Sequence, residues 1–172
     1  SILALPLRDR IAAKSELGWK LAYSAVSIIG LILISKGYAE LRLTPTVLYV
    51  APIWLYHVAA VLLLPTFIFL FAPYFPGRIS GATRHPQLIA VKLWAVSHLL
   101  VNGTLADMLL FGSFLLWAVA DRISMKRRTA RAVPAVPQSQ ANDIVVVVLG
   151  LIVYTATVFW FHEMLFGVRP FI

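Results

Sequence analysis

Cysteine is absent from the 172 residues, which excludes disulfide stapling, thiolate catalysis and cysteine-held metal or haem. Charge is scarce as well. Asp, Glu, Lys and Arg make up 13% of the chain, against about 25% in an ordinary soluble domain. Acids are the rarer sign: there are seven, scattered and mostly close to helix ends, so a carboxylate pair for acid–base hydrolysis is disfavoured. Soluble-enzyme signatures are missing too. The chain has no Gly-x-Gly-x-x-Gly, phosphate loop or Gly-x-Ser-x-Gly, and His162-Glu163 lacks the second histidine of a zinc-protease helix. No repeat of 20–50 residues is visible.

Apolar residues are plentiful: 60% of the chain, with a mean hydropathy of +0.86. That is a membrane protein's composition. A span needs about 20 mostly apolar residues to cross about 30 Å of hydrocarbon. The first such stretch runs from about Lys20 to Tyr38, and the second from Ile53 to Phe75, broken by Pro65 and closed by Pro73 and Pro76. The zone Gln87 to Asp121 is too long for one span and divides at the turn-forming Asn102-Gly103. It reads as a helical hairpin with arms Gln87–Val101 and Leu105–Asp121. A last span, Asn142 to Phe166, opens with Asn142-Asp143 as a capping pair. The expected fold is all-α, a polytopic transmembrane helical bundle of about five spans forming a single domain over residues 1–172.

Basic residues set the orientation, since short cytoplasmic loops collect them. With the first span entered from the cytoplasm, twelve of the fifteen Lys and Arg fall inside and only Lys36, Arg42 and Arg169 fall outside. The net charge of +8 thus serves orientation and anionic headgroups of the lipid bilayer, and no nucleic-acid partner is implied by the run Lys126–Arg131. Val133–Gln140 reads as a loose linker without a site.

With no thiolate available, histidine is the best ligand for haem iron or a transition metal, and there are four. His85 precedes Pro86, which suits a first helical position, so it reads as a helix start at the headgroups. Lys92 can snorkel to the same interface. Asp107 can cap the second hairpin arm. His57, His98 and His162 all fall in the outer half by topology, each open to a packing role or a ligand role. His85 and His98 are thirteen positions apart on one helix, or about 20 Å, whereas axial ligands of one iron stand about 4 Å apart. They cannot serve the same haem. If a b-type haem is present, His98 could pair with another outer-half histidine such as His57, or with one supplied from an N-terminal segment.

The segments Thr83-Arg84-His85-Pro86, Lys92-Leu93-Trp94-Ala95, His98-Leu99-Leu100-Val101-Asn102-Gly103, Leu110-Phe111-Gly112-Ser113-Phe114 and Asp121-Arg122 closely resemble the NnrU family of bacterial membrane proteins. Trp19-Lys20, Tyr23-Ser24 and Ser27, then Pro76-Gly77-Arg78, and finally Phe161-His162 with Leu165-Phe166-Gly167 extend the resemblance over nearly the whole chain. Family members commonly carry one more N-terminal helix ending in His-Ser, and this sequence begins at such a serine, which implies a parent of six spans.

The resemblance implies a multi-pass protein of the bacterial inner membrane, with a role in nitrite and nitric oxide respiration. It also relates the chain to 15-cis-zeta-carotene isomerase, a haem b enzyme whose Arg-His-Pro segment and later histidine match His85 and His98 in spacing. Through that relation it implies a haem b cofactor, with His98 as the first metal ligand and His57, His85 and Arg84 as further cofactor-binding candidates. The substrate would be a small nitrogen oxide or a hydrophobic polyene. Two alternatives stand beside this: an isomerase-like haem enzyme, and a noncatalytic subunit that assembles with other membrane proteins. The Arg-His-Pro motif is also similar to that of isoprenylcysteine-type methyltransferases, but the expected Glu-Glu pair is replaced by His162-Glu163. Labelling of intact cells is expected to leave the 122–131 segment unmodified, and labelling there from the external medium would reverse the orientation.

Overall fold

The computed structural model describes residues 10–11, 13–126 and 133–170; Ser1 and the basic residues Arg127, Arg128 and Arg131 lie outside them. Helix α1 spans Glu16–Leu43, longer than the apolar stretch inside it. Its start is fixed by Ser15, whose Oγ accepts the Gly18 N–H at 3.0 Å. Glu16 in the first turn and Arg42 in the last complement the helix dipole.

The second stretch forms α2, Ile53–Leu63, then α3, Thr66–Phe71, then a 3₁₀ turn Ala72–Tyr74. Pro65 causes the break because it has no N–H to donate and crowds the preceding turn. The Tyr154 hydroxyl donates to the Ala60 carbonyl at 3.2 Å beside it. A short α4, Arg78–Ala82, leads to α5, Pro86–Val101, with Pro86 in the first turn. The hairpin partner α6 covers Leu105–Met125. After the 133–140 segment, α7, Ala141–Ala156, runs through a π-helical turn, Thr157–Phe161, into α8, His162–Phe166.

Four of these segments are long and apolar enough to cross a membrane: Glu16–Leu43, Ile53–Tyr74, Leu105–Met125 and Ala141–Phe166. The fifth expected span, α5, has 16 residues and is only about 24 Å long, short of a bilayer core. Its shortness is tolerable because protein surrounds it. It packs against α2, α3 and α6 and contributes more buried residues than any other helix. No strand forms among the described residues; Val47 and Thr104 make an isolated β-bridge.

The core is built from small side chains. Ala59, Ala72, Ala90, Ala95, Ala106 and Ala118 are all buried, joined by Leu88, Phe111 and Val146. This is how membrane helices pack: lipid tails compete equally for large apolar groups, so close backbone approach supplies the attraction. The crossing of α7 over α3 depends on Gly150, where a Cβ would stand 2.6 Å from Ile68 Cγ1 and 2.8 Å from its backbone nitrogen.

Two expectations about the last span are corrected. Gln140, not Asn142 or Asp143, holds the N-cap position of α7. Asn142 Nδ2 instead donates to the carbonyls of Pro76 (2.8 Å) and Pro137 (3.0 Å). The Asp143 carboxylate accepts the N–H groups of Arg78 and Ile79, both at 3.0 Å, and so caps α4 rather than its own helix. Gly77 leaves room for it, since a Cβ there would collide with Asp143 Oδ1. Nor is the 133–140 linker loose. Val136 N–H donates to Tyr74 O at 3.1 Å and Ser139 N–H to Pro76 O at 3.2 Å, because this stretch supplies the partners that the 74–79 turn needs.

Replacing Gly150 with Leu is expected to force α3 and α7 apart and lower stability by about 1–3 kcal/mol, the usual range for overpacking. Unfolding of the purified protein in mixed micelles measures this.

Candidate functional site

One end of the bundle is closed by contacts between the α5–α6 turn and the 44–52 loop. Leu48 and Tyr49 donate backbone N–H groups to Gly103 O at 2.8 and 3.2 Å, and Leu105 N–H returns to Thr46 O at 2.9 Å. Gly103 is required here because a Cβ would collide with the Tyr49 carbonyl oxygen. The Tyr49 hydroxyl reaches the carbonyls of Leu99 and Asn102, filling acceptors that the end of α5 would otherwise leave bare. Burial and the Asp107 charge hold the Tyr49 phenol above its usual pKa, so it stays a donor.

Asp107 begins α6. It forms a reciprocal capping box with Thr104, with Thr104 Oγ1 at 2.6 Å from its Oδ2. Its other oxygen accepts the Tyr38 hydroxyl at 2.7 Å. One buried carboxylate thus starts one helix and holds another, α1, which buries none of its own described residues.

Held by these ties is the last turn of α5, which carries His98. Its Nδ1 lies 2.8 Å from the Trp94 carbonyl. A carbonyl can only accept, so Nδ1 carries the proton and Nε2 keeps its lone pair. The ring stacks on Phe111 at 4.5 Å and 27° and lies 5.3 Å from Trp94, whose edge contacts Phe111 and Phe114 at 5.0 and 5.4 Å. Among the described residues, Thr66 Oγ1 is the buried side-chain polar atom without a partner. No hydrogen bond with the described residues engages Nε2 of His98.

The other candidates are dispersed. His57 is exposed on the second turn of α2 and makes no hydrogen bond or ring contact with the described residues. His85 is half-buried at the N-cap of α5, and Arg84 beside it is exposed. Burial lowers the pKa of His85, Arg122 and Arg84 push the same way, and Asp121 opposes them. This corner is most of a helix's length from His98. Among the described residues no group of three or more His, Asp or Glu could hold a metal ion.

The NnrU protein family model matches residues 1–170. The chain belongs to the NnrU family. No curated protein and no solved structure matches it. In this NnrU chain the segment from His98 to Gly103 combines a histidine clamped to Trp94 with a glycine whose place no residue bearing a side chain can take. The partner residues Tyr38, Tyr49 and Phe114 escape sequence reasoning because each comes from a different segment. Only the position of Asp107, three residues after Thr104, is visible as a capping pattern. Tyr38→Phe is expected to cost about 0.6 kcal/mol, the mean for interhelical polar contacts in membranes. Asp107→Ala, which also destroys the cap, should cost about 1–2 kcal/mol. Thermal unfolding of the two variants in detergent compares them.

Proposed function

We propose that this chain is a haem b protein of the bacterial inner membrane with a role in nitrite and nitric oxide respiration, and that His98 supplies an axial imidazole. The observation that carries the proposal is the state of that ring. A metal-ligating histidine nearly always donates its other ring N–H to a carbonyl or carboxylate, which fixes the tautomer and orients the free nitrogen. His98 has that arrangement through Trp94 O.

That no larger ligand cluster exists among the described residues is compatible with the same group. A porphyrin fills four coordination positions itself, so one or two imidazoles suffice and no larger ligand cluster is needed. When bound, the haem would supply an iron that exchanges one electron or takes a small ligand such as a nitrogen oxide. The chain's own contribution is narrower. His98 binds through Nε2; Trp94, Phe111 and Phe114 keep water from that side; and the Tyr49 and Gly103 contacts keep the last turn of α5 from fraying. His85 and Arg84 stand at the opposite end of α5 and take no part in ligation at His98.

A second reading is favoured by α1. A 28-residue apolar helix with no buried residue suits a subunit that docks against other membrane proteins. Migration in mild detergent as a bare monomer would count against that reading.

Titration of the purified protein with haem b is expected to give a Soret band and, on reduction, sharp visible bands. His98→Ala should weaken binding by at least about 10-fold, the loss seen even for outer partners of metal ligands. A wild-type protein that takes up no haem would dismiss the reading.

A further inference from the structure

The span Ile53–Tyr74 ends, and the span Ala141–Phe166 begins, at one end of the bundle. Hydrogen bonds tie the chain there together: Val136 N–H donates to Tyr74 O and Ser139 N–H to Pro76 O, and Asn142 and Asp143 hold the 76–79 turn. Between these stretches lies a cleft of about 570 Å³, lined by Gly77, Arg78, Gly81, Gln138, Ser139 and Gln140. A cleft bordered by the ends of two spans stands at the level of the lipid headgroups.

Its lining is rich in hydrogen-bond donors. The Arg78 guanidinium gives one N–H to Gln140 Oε1 at 3.3 Å and forms no ion pair with the described residues, so most of its five N–H groups are uncommitted. A guanidinium only donates, so Gln140 presents its oxygen there and keeps its NH2 for another acceptor. Ser139 Oγ accepts the Ala141 N–H at 3.2 Å and still has its own O–H to give. The nearby carboxylate, Asp143, is not part of the lining, and its two oxygens take the N–H groups of Arg78 and Ile79. What such a cleft lacks is an anion.

The wider charge distribution agrees. Residues 75–85 and 126–140 carry Arg78, Arg84, Lys126, Arg127, Arg128 and Arg131 and no acid, a pattern that attracts anionic headgroups at a membrane surface. Gly81 is not demanded by packing, because a Cβ there would meet nothing within 4 Å; its bareness leaves the cleft open.

We propose that this cleft binds the phosphate of an anionic phospholipid, with Arg78 pairing to the phosphate oxygens and Ser139 and Gln140 supplying further donors. Guanidinium suits the task because its planar fork can engage two oxygens at once. A lipid is favoured over free phosphate by what adjoins the cleft: α7 begins there and exposes Ile144, Val145 and Val148, apolar surface that an acyl chain covers. The site is independent of the haem reading.

The test takes the full chain from nanodiscs of mixed phosphatidylglycerol and phosphatidylcholine and counts retained lipids by native mass spectrometry. Wild-type protein should retain phosphatidylglycerol in preference. Arg78→Gln should weaken that retention at least about 10-fold, the worth of one hydrogen bond to a charged group. Gly81→Leu should weaken it as well by filling the cleft, and it removes no contact on which folding depends. Lys126→Gln deletes an equal charge away from the cleft and should leave the preference near that of the wild type. In delipidated protein, phosphatidylglycerol should raise the unfolding temperature of the wild type but not of the two cleft variants, and inorganic phosphate should not reproduce the rise.

Unchanged preference in Arg78→Gln or Gly81→Leu would overturn the proposal. Equal losses in Lys126→Gln and Arg78→Gln would overturn it too, because a diffuse field rather than a site would then hold the lipid. Stabilisation by inorganic phosphate alone would reassign the cleft to a free anion and overturn the lipid as its occupant.

Discussion

Inside a bilayer no water is at hand to satisfy a backbone group that a helix end or break leaves over, so the chain must provide every partner itself. Several of the described polar side chains of this protein are committed to that task. Tyr49 serves carbonyls at the end of α5, Thr104 and Asp107 cap α6, Asp143 caps α4, Asn142 serves two loop carbonyls, and Tyr154 donates beside the proline break. Placement of the histidines depends on the same constraint. His98 and His162 are oriented because each ring spends one nitrogen on a backbone carbonyl.

The two ends of the bundle solve the problem differently. At the end bearing Pro76, Gly77 and Asp143, side chains from α7 reach across to a loop, and the 133–140 segment lies against the 74–79 turn through main-chain hydrogen bonds. At the end bearing Gly103, the loop itself lies against the hairpin turn, so close that a single methyl group has no room. The second arrangement borders the aromatic cluster around His98.

Between the ends, packing depends on what is small. Alanines on α2, α5 and α6 and Gly150 on α7 let backbones approach, while the larger apolar side chains face outward. α1 is the exception: it meets α6, where Tyr38 donates to Asp107, and buries none of its described residues. A helix so placed contributes little to the core and leaves a broad face for lipid or for another subunit.

Hydropathy and punctuation alone determined the helical class, the approximate spans and the division at Asn102-Gly103, because a bilayer imposes length and apolarity on any segment that crosses it. They also placed Pro86 at a helix start, Asp107 at a cap, and His85 beyond reach of His98, since helical rise converts sequence separation directly into distance. Tertiary structure decided the rest. That Asp143 caps a foreign helix and that Tyr38 and Tyr49 come to the hairpin depend on which helices touch and at what rotation. Those quantities are set by close contacts such as Gly150 on Ile68 and by the π turn before His162, and neither leaves a period in the sequence from which it could be read.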